Sequence, residues 1–229
     1  MKTFNQFRYL TLTTFFVCVL GTIVYAQKSR ASFEVAGGPG YSFLRGGGTA
    51  SSVPDGKGFQ IGLFTDIRIN QVFSVQTGLS FDRKGSLYPT KWYGFLYLDE
   101  EHLKLNYDYL SMPLVIRASF FKPVKLYLNT GIFLARIHSV MLIGEGTHGG
   151  LGSFNFTSFV PDYEFGLVNG IGIKVPLHKQ LELTAEIRNN RGLSSVKLKD
   201  EYLFSGSPNV RTNLTTLMLG VSFRLDACK

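Results

Sequence analysis

The chain has 229 residues, enough for one sizeable domain without requiring a second. Hydrophobic residues make up 45% and charged residues 17%, with 20 Phe, 11 Tyr and 25 Gly, which excludes disorder, collagen-like repeats and a charged coiled coil. The net charge of +8 is scattered rather than run together, so no nucleic-acid partner is expected, and Cys18 and Cys228 build neither a disulfide framework nor a zinc module.

Lys2 and Arg8 form a basic start, and an uncharged, mostly apolar run follows from Tyr9 to Tyr25. Val24-Tyr25-Ala26 closes it with a site suited to signal peptidase. Residues 1–26 therefore read as a cleaved signal peptide, and residues 27–229, starting at Gln27, as one exported domain. An uncleaved anchor is the competing reading, weakened because Thr11, Thr13 and Thr14 dilute the run. Bulky Val17 before Cys18 argues against a lipoprotein cysteine.

Beyond Ala26 the pattern is alternation, which puts successive side chains on opposite faces of a strand. Phe33, Val35, Gly37, Pro39 and Tyr41 oppose Glu34, Ala36, Gly38 and Gly40; Phe59, Ile61, Leu63, Thr65 and Ile67 oppose Gln60, Phe64, Asp66 and Arg68. Phe73, Val75, Thr77, Leu79 and Phe81 oppose Ser74, Gln76, Ser80 and Asp82. In residues 104–120, Leu110, Met112, Leu114 and Ile116 oppose Ser111, Pro113 and Arg117. Asp108 falls on the apolar side there, which predicts a bulge near residues 107–109 or an extension above the membrane. The fifth segment is Leu126, Leu128, Thr130, Ile132 and Leu134 against Lys125, Tyr127 and Asn129. Phe165, Leu167, Asn169, Ile171 and Ile173 against Glu164 and Lys174 make the sixth. Leu181, Leu183, Ala185 and Ile187 against Glu182, Glu186 and Arg188 make the seventh, and Leu217, Leu219, Val221, Phe223 and Leu225 against Ser222 and Arg224 the eighth.

Short joins near residues 70–71, 121–123 and 176–179 alternate with long ones at about 44–57, 84–102, 139–160 and 191–211. An even strand number with alternating short and long connections is the arrangement of bacterial outer-membrane barrels. The expected fold is all-β: an eight-stranded antiparallel up-and-down transmembrane barrel with short periplasmic turns and long outer loops. A soluble lipocalin-like binding barrel shares the alternation but turns its apolar set inward. Uncharged apolar sets, small residues on the polar sets and aromatics near strand ends favour the membrane. Those aromatics are Phe33, Tyr41, Phe43, Phe73, Phe81, Trp92, Tyr107, Tyr109, Tyr163, Phe165 and Phe223.

The export signal, the eight segments and the run Tyr109-Leu110-Ser111-Met112-Pro113-Leu114-Val115-Ile116-Arg117 resemble the Bacteroidota outer-membrane β-barrel proteins, the porin-family, PorT-like chains. The resemblance spans essentially residues 27–229, and it implies a cell outer-membrane location without fixing an activity. The end departs from the pattern, since Asp226-Ala227-Cys228-Lys229 follow Leu225 where a terminal aromatic is usual.

With apolar faces toward lipid, the lumen receives Glu34, Asp66, Asp82, Glu164, Glu182 and Glu186 together with Arg68, Arg117, Lys125, Lys174, Arg188 and Arg224. An eight-stranded barrel is just wide enough for side chains, so these charges are expected to form a salt-bridged plug, with a gated ion path as the rival. Glu186 and Arg188 share one strand face, and each is expected to reach across to another strand.

No catalytic, metal or cofactor site is expected, and the chain does not read as an enzyme. His102, His138, His148 and His178 lack metal-ligand spacing. His138-Ser139 are strand neighbours expected to point oppositely, and the glycine-rich residues 146–152 lack a following Lys-Ser/Thr. Arg83, Lys84, Lys91, Lys104, Arg136, Arg191 and Arg211 form a candidate rim for lipopolysaccharide phosphates. Trp92, Tyr93, Phe95, Leu96, Tyr97 and Leu98 make the second outer loop apolar, a candidate contact for a protein partner. Three roles remain open: a structural or surface-interaction barrel and, as the resemblance alone implies, a narrow passive pore or an accessory of protein secretion.

Overall fold

A computed structural model describes residues 31–45, 56–89, 102–144, 154–155, 157–195 and 211–225. Residues 1–30 with Cys18 and the expected cleavage site before Gln27, the apolar residues Trp92 to Leu98 with Lys91, the glycine-rich residues 146–152 with His148, and the tail with Cys228 lie outside the described residues.

Among the described residues nine strands form one antiparallel sheet: β1 Ala31–Arg45, β2 Gly56–Arg68, β3 Phe73–Pro89, β4 His102–Phe120, β5 Lys125–Gly144, β6 Phe154–Asn155, β7 Tyr163–Pro176, β8 Leu181–Gly192 and β9 Arg211–Arg224. Eight of them close a ring in the order β4-β3-β2-β1-β9-β8-β7-β5, with β4 returning to β5. The ninth, β6, is a two-residue strand on the upper edge of β5, next to the 3-10 turn Thr157–Phe159. Full closure leaves the eight-stranded ring without an open edge.

Four-residue turns at 69–72, 121–124 and 177–180 gather at one end with the start of β1 and the end of β9, and the strand ends that lead into the longer connections lie at the other. The first turn is built by Asn70, whose Oδ1 accepts from Val72 N at 2.9 Å and Phe73 N at 2.7 Å, a side chain standing in for backbone. In the second, Phe121 takes a positive φ of 67°.

The apolar sets face out: Val35, Leu63, Leu79, Leu114 and Leu219 are all more than half exposed. The opposite sets are buried, but they are not uniformly polar. In the long-loop half Tyr107, Tyr109, Val115, Phe133, Ala135 and Val168 pack into an apolar core. Tyr107 and Tyr109 therefore correct the expected aromatic girdle, because they share the inward row of Ser111 and Pro113. Phe33, Tyr41, Phe73, Tyr163, Phe165 and Phe223 are exposed on the outer face.

β3, β4 and β5 run farther toward the long-loop end than alternation indicated, with 17, 19 and 20 residues. The predicted joins at 84–102 and 139–160 are consequently shorter, since backbone pairing continues to Pro89↔His102 and Leu103↔Gly144. An irregularity is present beside residues 107–109, but in the partner strand rather than in β4: Asp108 pairs with Ser139 and Tyr109 with Ile137, leaving His138 as the extra residue of a bulge in β5.

Candidate functional site

The most developed chemistry lies inside the barrel. Arg117 of β4 sits at its centre, 1% exposed, with Nη1 2.7 Å from Asp66 of β2 and 3.4 Å from Glu34 of β1. Its Nη2 lies 3.4 Å from Glu186 of β8, and its Nε donates to Asn129 of β5 at 2.9 Å. Lys174 of β7 closes the same cluster, 3.1 Å from Glu34 and 3.4 Å from Asp66. Three carboxylates thus meet Arg117, Lys174 and Arg188, so this tier is neutral. Glu34 also accepts from Thr184 Oγ1 at 3.2 Å, and Arg188 Nη2 donates to Gln76 at 2.8 Å.

Glu186 and Arg188 each reach another strand, Glu186 to Arg117 of β4 and Arg188 to Gln76 of β3, and they also pair with each other. Arg188 Nε lies 2.6 Å from Glu186 Oε1 and its Nη2 3.1 Å from Oε2, because residues two apart on a strand share a face. Tyr127 Oη donates to the same carboxylate at 3.0 Å. Opposite Tyr127 stands Gly172, where a Cβ would come within 2.5 Å of the phenol ring, so the missing side chain is what admits it.

Toward the long loops, Lys84 of β3 lies 2.9 Å from Glu164 of β7 and donates to Thr212 of β9 at 2.7 Å. Its ammonium is 4.3 Å from the Tyr109 ring centroid and 5.1 Å from that of Phe133. Lys84 is thus a correction to the candidate rim: it is buried, because it continues the inward row of Ser80 and Asp82 on a strand longer than expected. Asp82 accepts from Ser80 at 2.9 Å, Ser111 at 2.7 Å and Asn190 at 3.5 Å, with no cation paired to it among the described residues.

At the short-turn end the balance reverses. Lys125 and Arg224 approach one oxygen, Glu182 Oε1, at 2.7 and 2.8 Å. Arg68, the last residue of β2, has no carboxylate partner among the described residues. All twelve sequence-predicted lumen residues lie along the inside of the barrel, where the structure joins eleven into pairs or hydrogen-bonded clusters. Arg68 stands apart.

On the outside, Arg136, Arg191 and Arg211 are exposed at the long-loop end and Lys104 is half-buried there. Arg83 faces outward but is bound: Nε and Nη2 donate to Asp108 at 2.6 and 2.8 Å, and the guanidinium stands 5.5 Å from the Phe59 ring centroid. Asp108 is thereby neutralised on the apolar side, with Ser139 Oγ donating to it at 3.2 Å. The bulge keeps both His138 and Ser139 out of the buried row, so the expected opposition of the two side chains does not hold.

A family model described as outer membrane protein beta-barrel domain matches residues 25–198. The chain belongs to that family. It is an outer-membrane β-barrel protein. No curated protein matches its sequence. Among solved structures it is similar to the outer membrane protein OprG from Pseudomonas aeruginosa, at 10% identity and TM-score 0.48, covering 87% of this chain and 98% of that one. A major outer membrane protein from Thermus thermophilus matches at 13% identity and TM-score 0.48, covering 85% and 99%. Ail of Yersinia pestis, solved in complex with the heparin analogue sucrose octasulfate, matches at 15% identity and TM-score 0.40, again covering 85% and 99%.

For an outer-membrane barrel, polar side chains on the lipid-facing surface stand out. Thr130, Asn169, Asn189 and Thr215 occupy consecutive register positions on β5, β7, β8 and β9. They satisfy one another: Thr130 donates to Asn169 at 3.1 Å, and Asn189 Nδ2 donates to Thr215 at 2.8 Å and Asn213 at 2.6 Å. Sequence reading placed Thr130 and Asn169 on the apolar faces without foreseeing this ladder, since pairing partners are set by register.

Proposed function

We propose that this barrel is a structural or surface-interaction protein of the outer membrane, with its lumen plugged by the charge network. The observation that carries the reading is Arg117, which ties β4 to β1, β2 and β8 across the interior through three carboxylates. A water-filled path at that level requires separating buried charges, each costing several kcal/mol. The supporting context is an interior whose other half is packed with apolar side chains.

In this reading the signal peptide is removed before Gln27, the short turns face the periplasm and the long loops face outward. Arg136, Arg191 and Arg211 then offer exposed guanidinium groups suited to bidentate contact with lipopolysaccharide phosphates. The apolar residues Trp92 to Leu98 are the candidate contact for a protein partner. Pull-down from detergent-solubilised outer membranes, with and without alanine replacements in residues 92–98, tests that contact directly. A second reading, a PorT-like accessory of secretion in a Bacteroidota cell, rests on the run Tyr109 to Arg117 and predicts a secretion defect on deletion.

A further inference from the structure

The charge along the barrel axis is unevenly distributed. The central tier is neutral, and at the long-loop side Asp82 adds one negative charge to the balanced Lys84–Glu164 pair. At the short-turn end Glu182 faces Lys125, Arg224 and Arg68, leaving a surplus of two positive charges before Lys122 of the neighbouring turn is added. This surplus lines a cavity of about 490 Å³ at the mouth, walled by five cations (Arg68, Lys122, Lys125, Lys174 and Arg224), two carboxylates (Asp66 and Glu182) and the turn 69–72. That volume lies within the range of small-ligand sites, roughly 300–1,000 Å³.

Three further features give the cavity the character of a site. Both Lys125 and Arg224 are committed to the same oxygen of Glu182, so one carboxylate cannot balance both. Arg224 Nε is buried without a hydrogen-bond partner among the described residues. Arg68 reaches the mouth from the end of β2, and its guanidinium has no hydrogen bond or ion pair among the described residues. Cations held this close repel one another, and a guest carrying two or more acceptor oxygens relieves that repulsion while filling the empty donors. Guanidinium groups match planar and tetrahedral oxyanions through paired N–H donors, which a spherical halide does not exploit.

We propose that the short-turn mouth is a binding site for a phosphate-class oxyanion, held by Arg68 and Arg224 with Lys125 and Lys122 supplying further charge. The guest is either a free phosphate or the headgroup of a phospholipid from the adjoining leaflet; the recognition chemistry is the same. The site does not depend on whether the lumen above it conducts.

The test is calorimetric titration of the full-length protein in a phosphate-free maltoside detergent. Inorganic phosphate and dihexanoylphosphatidylglycerol are titrated separately against the parent and against Arg68→Gln, Arg224→Gln and Lys179→Gln. Lys179 is an exposed lysine of the turn at 177–180 outside the cavity, so its replacement removes the same charge at the same end. Saturable binding of either probe, weakened at least tenfold by Arg68→Gln and by Arg224→Gln but less than twofold by Lys179→Gln, supports the site. Saturation by phosphate identifies a free anion as guest, and saturation by the lipid alone identifies a headgroup. Heat-modifiable mobility on gels certifies that each variant is folded; Arg68, with no ion pair among the described residues, is the variant least exposed to that concern. Absence of saturable binding by both probes overturns the proposal, as does an equal loss in all three variants.

Discussion

Arg117 Cζ lies 4.1 Å from the centroid of the Tyr127 ring, and both side chains donate to Oε2 of Glu186, at 3.4 and 3.0 Å. Neighbouring strands thus present a stacked cation and phenol to a carboxylate from β8, three steps round the ring from β4. The stack fixes the guanidinium plane, so its two Nη groups reach Asp66 and Glu186 at once.

Replacing Arg117 by Met keeps bulk but removes the shared cation from three buried carboxylates. Breaking a buried ion pair on one side typically costs about 3–5 kcal/mol. Urea unfolding of refolded barrels in lipid vesicles is expected to show a loss of that order, and Tyr127→Phe, which removes one hydrogen bond and keeps the stack, about 1 kcal/mol. Parent-like stability of Arg117→Met would mean that the cluster contributes nothing to holding the barrel.

Lys84 gives a sharper contrast, because its two possible locations predict different results. As a buried partner of Glu164, Lys84→Met leaves an unpaired carboxylate inside and is expected to destabilise by about 3–5 kcal/mol. Adding Glu164→Gln removes that charge and is expected to recover most of the loss. A surface rim lysine, by comparison, changes stability by less than about 0.5 kcal/mol. The double-mutant cycle in the same unfolding assay distinguishes the two.

The fate of Lys84 also shows what alternation can and cannot convey. Period two assigned the face of nearly every strand residue, from Val35 to Phe223, because one register slip would invert a whole lipid-facing surface. Strand ends carried no such penalty: β3 passes Asp82 into Arg83 and Lys84 with its pairing intact, and charge there imitated a loop. Pairing was equally hidden. Glu186 was legible as a lumen acid, but its joint hold on Arg188, Arg117 and Tyr127 depends on ring order and stagger, which only the assembled barrel defines. The stacking of Arg188 over Phe64, 4.8 Å from its centroid, has the same origin.

Which face meets lipid is tested by Leu219, 62% exposed in mid-strand on β9. Arg at the bilayer midplane of such barrels costs about 2–4 kcal/mol, so Leu219→Arg is expected to fall in that range. Leu183→Arg on β8 is expected to behave alike, and Leu219→Ala, which introduces no charge, to cost less. An Arg variant as stable as the parent in lipid vesicles would place that surface in water instead.

Location supplies an independent check. The mature chain is expected to begin at Gln27 by N-terminal sequencing and to fractionate with the outer membrane. Folded barrels resist cold SDS and change mobility on boiling, because closure leaves no strand edge at which unfolding begins. Recovery in the detergent-free soluble fraction would restore the lipocalin-like alternative.

Conductance decides between plug and pore. The mouth at the short turns is open, but above it Arg117, Lys174 and Arg188 meet three buried carboxylates, and beyond them the Tyr109 and Phe133 rings lie against Lys84. An ion crossing this path must displace a paired charge in the central tier and again at the Lys84–Glu164 pair, whose ammonium lies against the Tyr109 and Phe133 rings. The parent protein is therefore expected to show negligible conductance in planar bilayers at neutral pH. Arg188→Ala, which strips Glu186 of its closest partner, is expected to lower thermal stability before any steady channel appears, since Arg117 and Tyr127 still hold the carboxylate. A large, steady, ion-selective current from the unmutated protein would overturn the plug, and the narrow pore would then be the better account of what this barrel does.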